Sequence, residues 1–506
     1  MKKTVINFLV VATFSISLMS CPSRGDDAIS IAQGTVVQNV TIVNTRDGSL
    51  MSGMTVIIDN GKIQRIISAK AVSVSGSALS IDGTGKYMVP GFLDMHTHAM
   101  GAADKQPSYW PLLISNGITG IREMAGSAEL IQRVRKLNTE SAAGKVDAPE
   151  VVQIPGELFV GTKSVALAVE QVRQQKAMGA DFIKIISPNR EATFAILAES
   201  KNQQMEVAGH LPRTVSAIEV SEAGMHAIEH LGAGPGIVLD CSREETNVRQ
   251  ALTGGKGAPP VFSPLVVLNP LLFASLDAPY FEQAMDNYDD DKCQSLARTF
   301  ASNGTWQVPT LIRLRTMAFS DDPLYRSDPN LIYMDKTTRA LWERLAQQYT
   351  TTVSATANAT FKNYYGLQKN IVKLLNQNKV KMMTGSDLGG LWVIPGFSLH
   401  QEFHELAAAG LSPLEILQMT TLNPAQFLHR EASMGTVEPG KNADLVLLDA
   451  NPVADVKSLD KVSAVFLKGH YFAKEDLKKM QRDVAQAYLN QPVKNIDSVI
   501  DHSHTD

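Results

Sequence analysis

The chain has 506 residues, 44% hydrophobic and 19% charged, enough for one large core and a smaller second one, because single cores stop growing near ~250–300 residues. A formal net charge of −4 without a long basic run removes the electrostatic footprint of a nucleic-acid binder, and the expected partner is a small molecule. The first segment, MKKTVINFLVVATFSISLMSC, has two lysines and then an apolar stretch too short to span a bilayer, the pattern of an export signal over residues 1–21. Cys21 follows Leu18-Met19-Ser20, which resembles a bacterial lipoprotein box in which that cysteine is lipidated. Met19 is unusual there, so ordinary signal cleavage stays open beside it. The expectation is an exported protein, periplasmic or held to a bacterial membrane by its lipid anchor. No other segment is apolar for the ~20 residues of a spanning helix. With Cys21 assigned, Cys241 and Cys293 are too few for a disulfide scaffold or a cysteine-built metal site, so a metal must be held by His, Asp or modified Lys.

Residues 35–89 read as short β segments: TVVQNVTIVN, then MTVIIDNGKIQRIIS with a turn at Asp59-Asn60-Gly61, then IDGTGKYMVP. The same texture returns in GTVEPGKNADLVLLDA and VSAVFLKGHYF. Neither piece is long enough for a core of its own. Residues 30–89 and 434–475 are therefore expected to form one composite β-sandwich domain, with a domain at 90–433 inserted between them and a C-terminal helix and polar tail over 476–506.

Within the insert, strand candidates recur: GFLDMHTH, GITGIREM, PEVVQIPG, DFIKIIS, MEVAGHL, HAIEHL, TWQVPTLI and KVKMMTGSD. The intervals are mostly helical in pattern, as in EATFAILAESKNQQ. Eight β segments alternating with helices predict an α/β fold, a (β/α)8 TIM-like barrel, with a doubly wound open sheet as the competitor. Residues 232–304 and 312–378 exceed what a plain βα unit needs and read as partly helical lids or binding elements.

His96 and His98, two apart on the first of these strands, project to one face at the end where barrel enzymes keep their active sites. Spacing alone proves little, since His502 and His504 share it in the polar tail. The stronger sign is that His210 closes MEVAGH, His230 closes HAIEH and Asp387 closes KVKMMTGSD, each at the same relative place. Four imidazoles and a carboxylate around one mouth suit a borderline metal such as zinc. Lys184, in DFIKIIS, would be a costly buried ammonium there. Either it pairs with an acidic neighbour, or its amine has reacted with carbon dioxide to give a carbamate able to bridge two metals.

Together PGFLDMHTH, GADFIKI, the strand-final His210, IEH, TGSD, LSPLEILQMTTLNPA and GTVEPGKNADLVLLD resemble the amidohydrolase superfamily over residues 35–475, in its imidazolonepropionase-like and Xaa-Pro-dipeptidase-like branch. The resemblance implies two divalent ions, one taking His96, His98 and Asp387 and the other His210 and His230, with carboxylated Lys184 bridging. Glu123 stands where related sequences have aspartate, and Leu-Pro-Arg follows His210 in place of small residues. Neither departure touches an implied ligand.

His226 lies ~13 Å down the strand from His230 at ~3.3 Å per residue, too far to share a metal. His400 and His404 stand one turn apart on a predicted helix whose neighbours suit a solvated face, and Gly389-Gly390 suits a tight turn. Two metals ~3.5–4 Å apart would acidify a bridging water and polarise a scissile carbonyl, with Asp387 both ligand and proton shuttle. Arg190, Arg213 and Arg313 or Arg315 fall in mouth loops, where guanidinium forks suit the carboxylate of a dipeptide or N-acyl amino acid, or are surface charges. The leading expectation is a binuclear amide hydrolase. A mononuclear deaminase or cyclic amidase of the same fold, and a non-catalytic surface lipoprotein, stand beside it, and a homo-oligomer is left open.

Overall fold

The computed structural model describes residues 29–496 apart from 69–71, 103–106 and 258–263. The signal segment with Cys21, and His502 and His504 of the tail, lie outside the described residues.

One sheet draws on both ends of the described chain. Its strands run, from one edge, His470–Ala473, Val462–Leu467, Leu445–Leu448, Tyr87–Pro90, Thr35–Val43, Leu50–Asp59 and Lys62–Ser68, with Leu79–Asp82 paired to Thr35–Val43. The sandwich expected from the sequence is realised as one hydrogen-bonded sheet. Asn60 and Gly61, at φ of 50° and 70°, form the two-residue turn between Leu50–Asp59 and Lys62–Ser68, because positive φ at both positions matches the twist of the flanking strands. The two ends meet where Val446 stands opposite Val89 in antiparallel register. All four residues of LVLL are buried, and period-two alternation explains why. Leu445 and Leu447 join Val37, Ile42, Met88 and Phe466 in a small core, while Val446 and Leu448 join the main core with Val89 and Val465. The centre of this sheet is a wall between two cores.

Among the described residues the insert carries seven parallel strands: β1 (Phe92–Thr97), β2 (Ile118–Glu123), β3 (Glu150–Gln153), β4 (Phe182–Ile185), β5 (Glu206–Gly209), β6 (Ala227–Glu229) and β7 (Trp306–Val308). The first three form one sheet and the last four another, each with sequence neighbours paired. Single parallel bridges, Pro155 with Phe182 and Phe159 with Ile185, connect the chain beyond β3 to β4. KVKMMTGSD, the eighth candidate, is not a regular strand. It makes one parallel bridge to β7, Met382 with Gln307, and just beyond it Leu388 bridges Thr97 of β1. Asp387 at φ 54° and Gly389 at φ 119° end the extended conformation there. Leu93, Met95, Phe182, Ala208, Ala227, Trp306, Val308 and Met383 pack together between the strands.

Both long excursions are largely helical, as their patterns predict. Helix Ala278–Asp286 of the first packs on helix Ala355–Gln377 of the second, with Phe281 5.5 Å from Phe361 and 4.7 Å from Tyr364 between ring centroids. The predicted C-terminal helix is Lys474–Leu489. Cys241 and Cys293, read as too few for a scaffold, are bonded to each other across 52 residues, both fully buried within the first excursion. Closing a loop of that length limits the unfolded chain and is worth about 4 kcal/mol in the chain-entropy estimate. Cys241→Ser with Cys293→Ser should therefore lower the denaturant midpoint substantially, and the parent should gain two mass units on reduction. Equal midpoints for mutant and parent would show that the bond contributes nothing to stability.

Candidate metal centre

The residues at the strand ends meet. His96 is buried near the end of β1, with His98 just beyond the strand and half-exposed; His210 follows β5 and His230 follows β6. Their rings form a row, with centroids 5.7 Å apart for His98 and His96, 4.4 Å for His96 and His230, and 5.1 Å for His230 and His210. Asp387 faces this row. Its Oδ1 lies 3.4 Å from Nε2 of His96 and 3.4 Å from Nε2 of His98. One ligand atom each from His96, His230 and Asp387 fall within 4.8 Å of one another, a spacing an ion can bridge.

The other ring nitrogens are already used. Nδ1 of His96 donates to Glu229 Oε2 at 2.7 Å. Thr310 Oγ1 donates to the Pro309 carbonyl at 2.8 Å, so at 2.6 Å it accepts from Nδ1 of His230. With both Nδ1 atoms donating, Nε2 of each ring carries the lone pair, the state in which imidazole binds a metal. Glu123 Oε1 stands 3.9 Å from Nδ1 of His98, and Oε2 accepts from the Met100 amide at 2.9 Å. Burial pushes the Glu123 carboxyl up to about 7. Burial also takes His96, His210 and His230 well below the usual imidazole value, which favours the neutral ring. For Asp387 burial acts upward, but His96, His230, the hydrogen bond from His98 and Arg313 together hold it well below the usual carboxylate range.

Lys184, on β4, is fully buried, and among the described residues its amine has no ion pair or hydrogen bond. The carboxylate that would serve, Glu229, is committed to His96 and, through Oε1 at 2.5 Å, to Nη2 of Arg122. Burial lowers the Lys184 amine to about 8, and Arg122 adds to that fall while Glu229 and Asp387 oppose it.

The proposed substrate arginines are all engaged. Arg190 forms a two-pronged pair with Glu219 at the surface, and Arg213 lies 2.5 Å from Asp277. Arg315 lies 3.2 Å from Glu405 and also meets Asp322 and Tyr325. Arg313 is buried at the centre itself. Its Nε donates to Asp387 Oδ2 at 3.0 Å, and its two terminal nitrogens donate to the carbonyls of Val267 and Leu268. It orients Asp387 and is not free to receive a substrate carboxylate.

His226 lies away from the row, 3.3 Å from Glu206, as its strand position requires. His400 is a correction, because it is buried and not on a solvated face. Its Nε2 donates to the Asn116 carbonyl at 2.9 Å, and with His404 it meets Asp460. Gly390, expected in a tight turn, also permits a close approach: a Cβ there would stand 2.8 Å from Arg313 Cδ. Reasoning from the sequence missed Glu229, Arg122 and Thr310. For the first two a signal existed, a charged residue inside an otherwise apolar strand, IEH for one and GITGIRE for the other.

The sequence profile of the amidohydrolase family matches residues 334–471. An adenine deaminase of Rubrobacter xylanophilus is 21% identical over 455 residues, 87% of this chain and 57% of that protein, so the chain spans little more than half the length of that relative. Among solved structures, a bottromycin amidohydrolase superposes with a TM-score of 0.66 at 19% identity, covering 89% of this chain and 90% of that one. A Xaa-Pro dipeptidase solved with methionine in its active site gives a TM-score of 0.60 at 17% identity over 87% of this chain and 100% of its own. The amidohydrolase resemblance read from the motifs is therefore shown by the family profile over residues 334–471, and the fold of these amidohydrolase and dipeptidase structures is shared over nearly the whole chain.

Proposed function

We propose that the chain is a binuclear metal hydrolase cleaving an amide bond, its parallel strands and the segment before Asp387 closing into a (β/α)8 barrel over residues 90–433, with residues 30–89 and 434–475 as a composite domain. The observation that carries this is the row of four imidazoles facing Asp387, with Nε2 of His96 and His230 left for ligation. The row has two ends. His98 and His96 share Asp387 at one, His230 and His210 adjoin at the other, and this supports one ion at each. Zinc suits the nitrogen and carboxylate donor set.

Lys184 is the proposed bridge. Its neutral amine attacks carbon dioxide, an N–C bond forms, one C=O electron pair moves onto oxygen and the amine proton leaves, giving a carbamate anion. A buried lysine without a counter-ion favours the reaction, because it exchanges a desolvated cation for an anion among metal ligands. When bound, the ions would polarise the scissile carbonyl and make a water more acidic. Asp387 takes the proton of the attacking water and delivers it to the leaving nitrogen as the C–N bond breaks, while Arg313 holds Oδ2 so that Oδ1 keeps its direction.

Dipeptides and N-acyl amino acids are the proposed substrates, on the fold shared with a Xaa-Pro dipeptidase. The committed arginines supply no separate support for a free carboxylate. A mononuclear deaminase is the second reading, favoured by the similarity to an adenine deaminase and by the compact group of His96, His230 and Asp387. Export is proposed from the signal segment, and the Cys241–Cys293 bond supports it, since disulfides persist in oxidising compartments.

Elemental analysis of purified protein, with a screen of dipeptides, N-acyl amino acids and adenine, separates the two readings: two ions and amide cleavage are expected, whereas one ion with adenine deamination would replace the reading. Asp387→Asn should lower kcat at least about 10²-fold, the low end for general acid–base catalysis, with metal content falling far less. Near-parental kcat in that variant would assign the proton shuttle to another group. Lys184→Ala should lose metal and activity together. In cells, Cys21→Ser should move the protein from the membrane to the soluble fraction or leave the precursor uncleaved, and unchanged fractionation would mean ordinary secretion.

A further inference from the structure

Asp94 is a buried carboxylate on β1 that the chemistry of the centre leaves unused. Its partners are neutral donors: Oδ1 accepts from the Ser386 amide at 2.9 Å and from the His96 amide at 3.3 Å, and Oδ2 accepts from the Ser386 hydroxyl at 2.5 Å. Among the described residues no cation pairs with it. A buried carboxylate held only by neutral donors is costly, and an apolar side chain would serve packing better. Something other than core stability accounts for its presence.

Its place coincides with a fault in the strand pairing. Asp94 stands opposite Ile121 on β2 and Thr97 opposite Glu123, three steps against two, so β1 carries one extra residue. That residue turns consecutive side chains inward: Met95 packs in the interior with Leu93, and His96 beside it meets Glu229 of β6. On the other side of β1 the fault interrupts the ladder to TGSD. The Met95 amide donates to the Thr384 carbonyl at 2.9 Å, and in a regular parallel ladder the Ser386 amide would return to the Met95 carbonyl. That carbonyl instead accepts from Nε of Arg122 at 2.7 Å, and Asp94 receives the Ser386 amide. Pairing resumes one residue later, where the Asp387 amide donates to the His96 carbonyl at 2.9 Å and the His98 amide to the Leu388 carbonyl at 2.8 Å. Without Asp94 the Ser386 amide would be a buried orphan next to Asp387, and regular pairing with Met95 would be its remedy.

We propose, on the reading of Asp387 as a metal ligand, that Asp94 is a positioning residue of the centre: it holds Ser386 out of the regular ladder, and that hold sets the left-handed turn at Asp387 which points Oδ1 at His96 and His98. Chelator competition on full-length, zinc-loaded protein tests this without a substrate. Asp94→Ala should bind zinc about 10–100-fold more weakly, the range for outer-shell partners of metal sites. Asp94→Asn keeps an oxygen for the Ser386 amide and a donor for its hydroxyl, and should recover most of that loss. In an Asp387→Ala background, itself weaker than the parent, Asp94→Ala should cost nothing further, because its route to the metal has gone. A role in packing alone predicts the same fold-loss in both backgrounds. Should Asp94→Ala fail to fold, Ser386→Ala removes only the hydroxyl contact and should weaken zinc binding in the parental background alone. Equal losses in the two backgrounds, Asp94→Asn as weak as Asp94→Ala, or unchanged zinc binding in whichever alanine variant is read would each overturn the proposal. Parental zinc affinity in Asp387→Ala would instead overturn the reading of Asp387 as a ligand, and this proposal with it.

Discussion

Glu229 is a carboxylate with no exposed surface, one oxygen on the imidazole of His96 and the other on the guanidinium of Arg122. Leaving any one of these three uncompensated would cost more than the net contribution of most single contacts, so the strands that carry them must hold their relative register. Arg122 is on β2, His96 on β1 and Glu229 on β6, so the network ties the three-stranded sheet to the four-stranded one from inside. Apolar packing around Phe182, Trp306 and Phe427 supplies the favourable term that tolerates this buried charge. The geometry of His96 depends on it directly, and that of His230 because it follows Glu229 at the end of β6.

The mouth is built at a backbone cost. His230, Leu231, Thr310 and Asp387 all have φ between 47° and 54°, the left-handed region that side chains other than glycine enter at a penalty of about 1–3 kcal/mol in the less favourable cases. Each sits where the chain leaves a strand or strand-like segment. Turning there directs His230 and Asp387 toward one another, where continued strands would alternate them up and down. Gly385 makes the close approach possible: a Cβ at that position would lie 2.7 Å from Cβ of His96. TGSD therefore reads as a segment fitted against β1 by one glycine and aimed by one strained aspartate.

That distinction marks what the sequence could reveal. The seven strands were legible because buried parallel strands are continuous apolar runs, and His98, His210, His230 and Asp387 because each closes such a run or follows it directly. TGSD was legible as a strand end but not as an irregular segment, since the conformation at Asp387 and Leu388 is set by contacts with His96, Thr97 and His98 from the other end of the insert. The arginines show the same limit more sharply. Sequence order placed Arg190, Arg213 and Arg313 in loops beyond strands, yet only folding brings Glu219, Asp277 and Asp387 to them. Lys184 reverses the case, because its strand position required burial, while the commitment of Glu229 to His96 and Arg122 is visible only in the fold.

Arg313 carries one further step. Asp387 divides its oxygens, Oδ1 to the imidazoles and Oδ2 to Arg313, and the same guanidinium holds the carbonyls of Val267 and Leu268 in the excursion between β6 and β7. Glu402, buried and raised to about 8 chiefly by its burial, accepts from the Ile312 amide at 2.7 Å and so fixes the turn on which both Thr310 and Arg313 are presented. One helical turn thus serves the His230 tautomer through Thr310 and the Asp387 orientation through Arg313. The long excursion is joined to the chemistry by main-chain carbonyls, whose identity survives any side-chain change. Its side chains can change while its hold on Asp387 stays the same, a consequence of which atoms make the bonds.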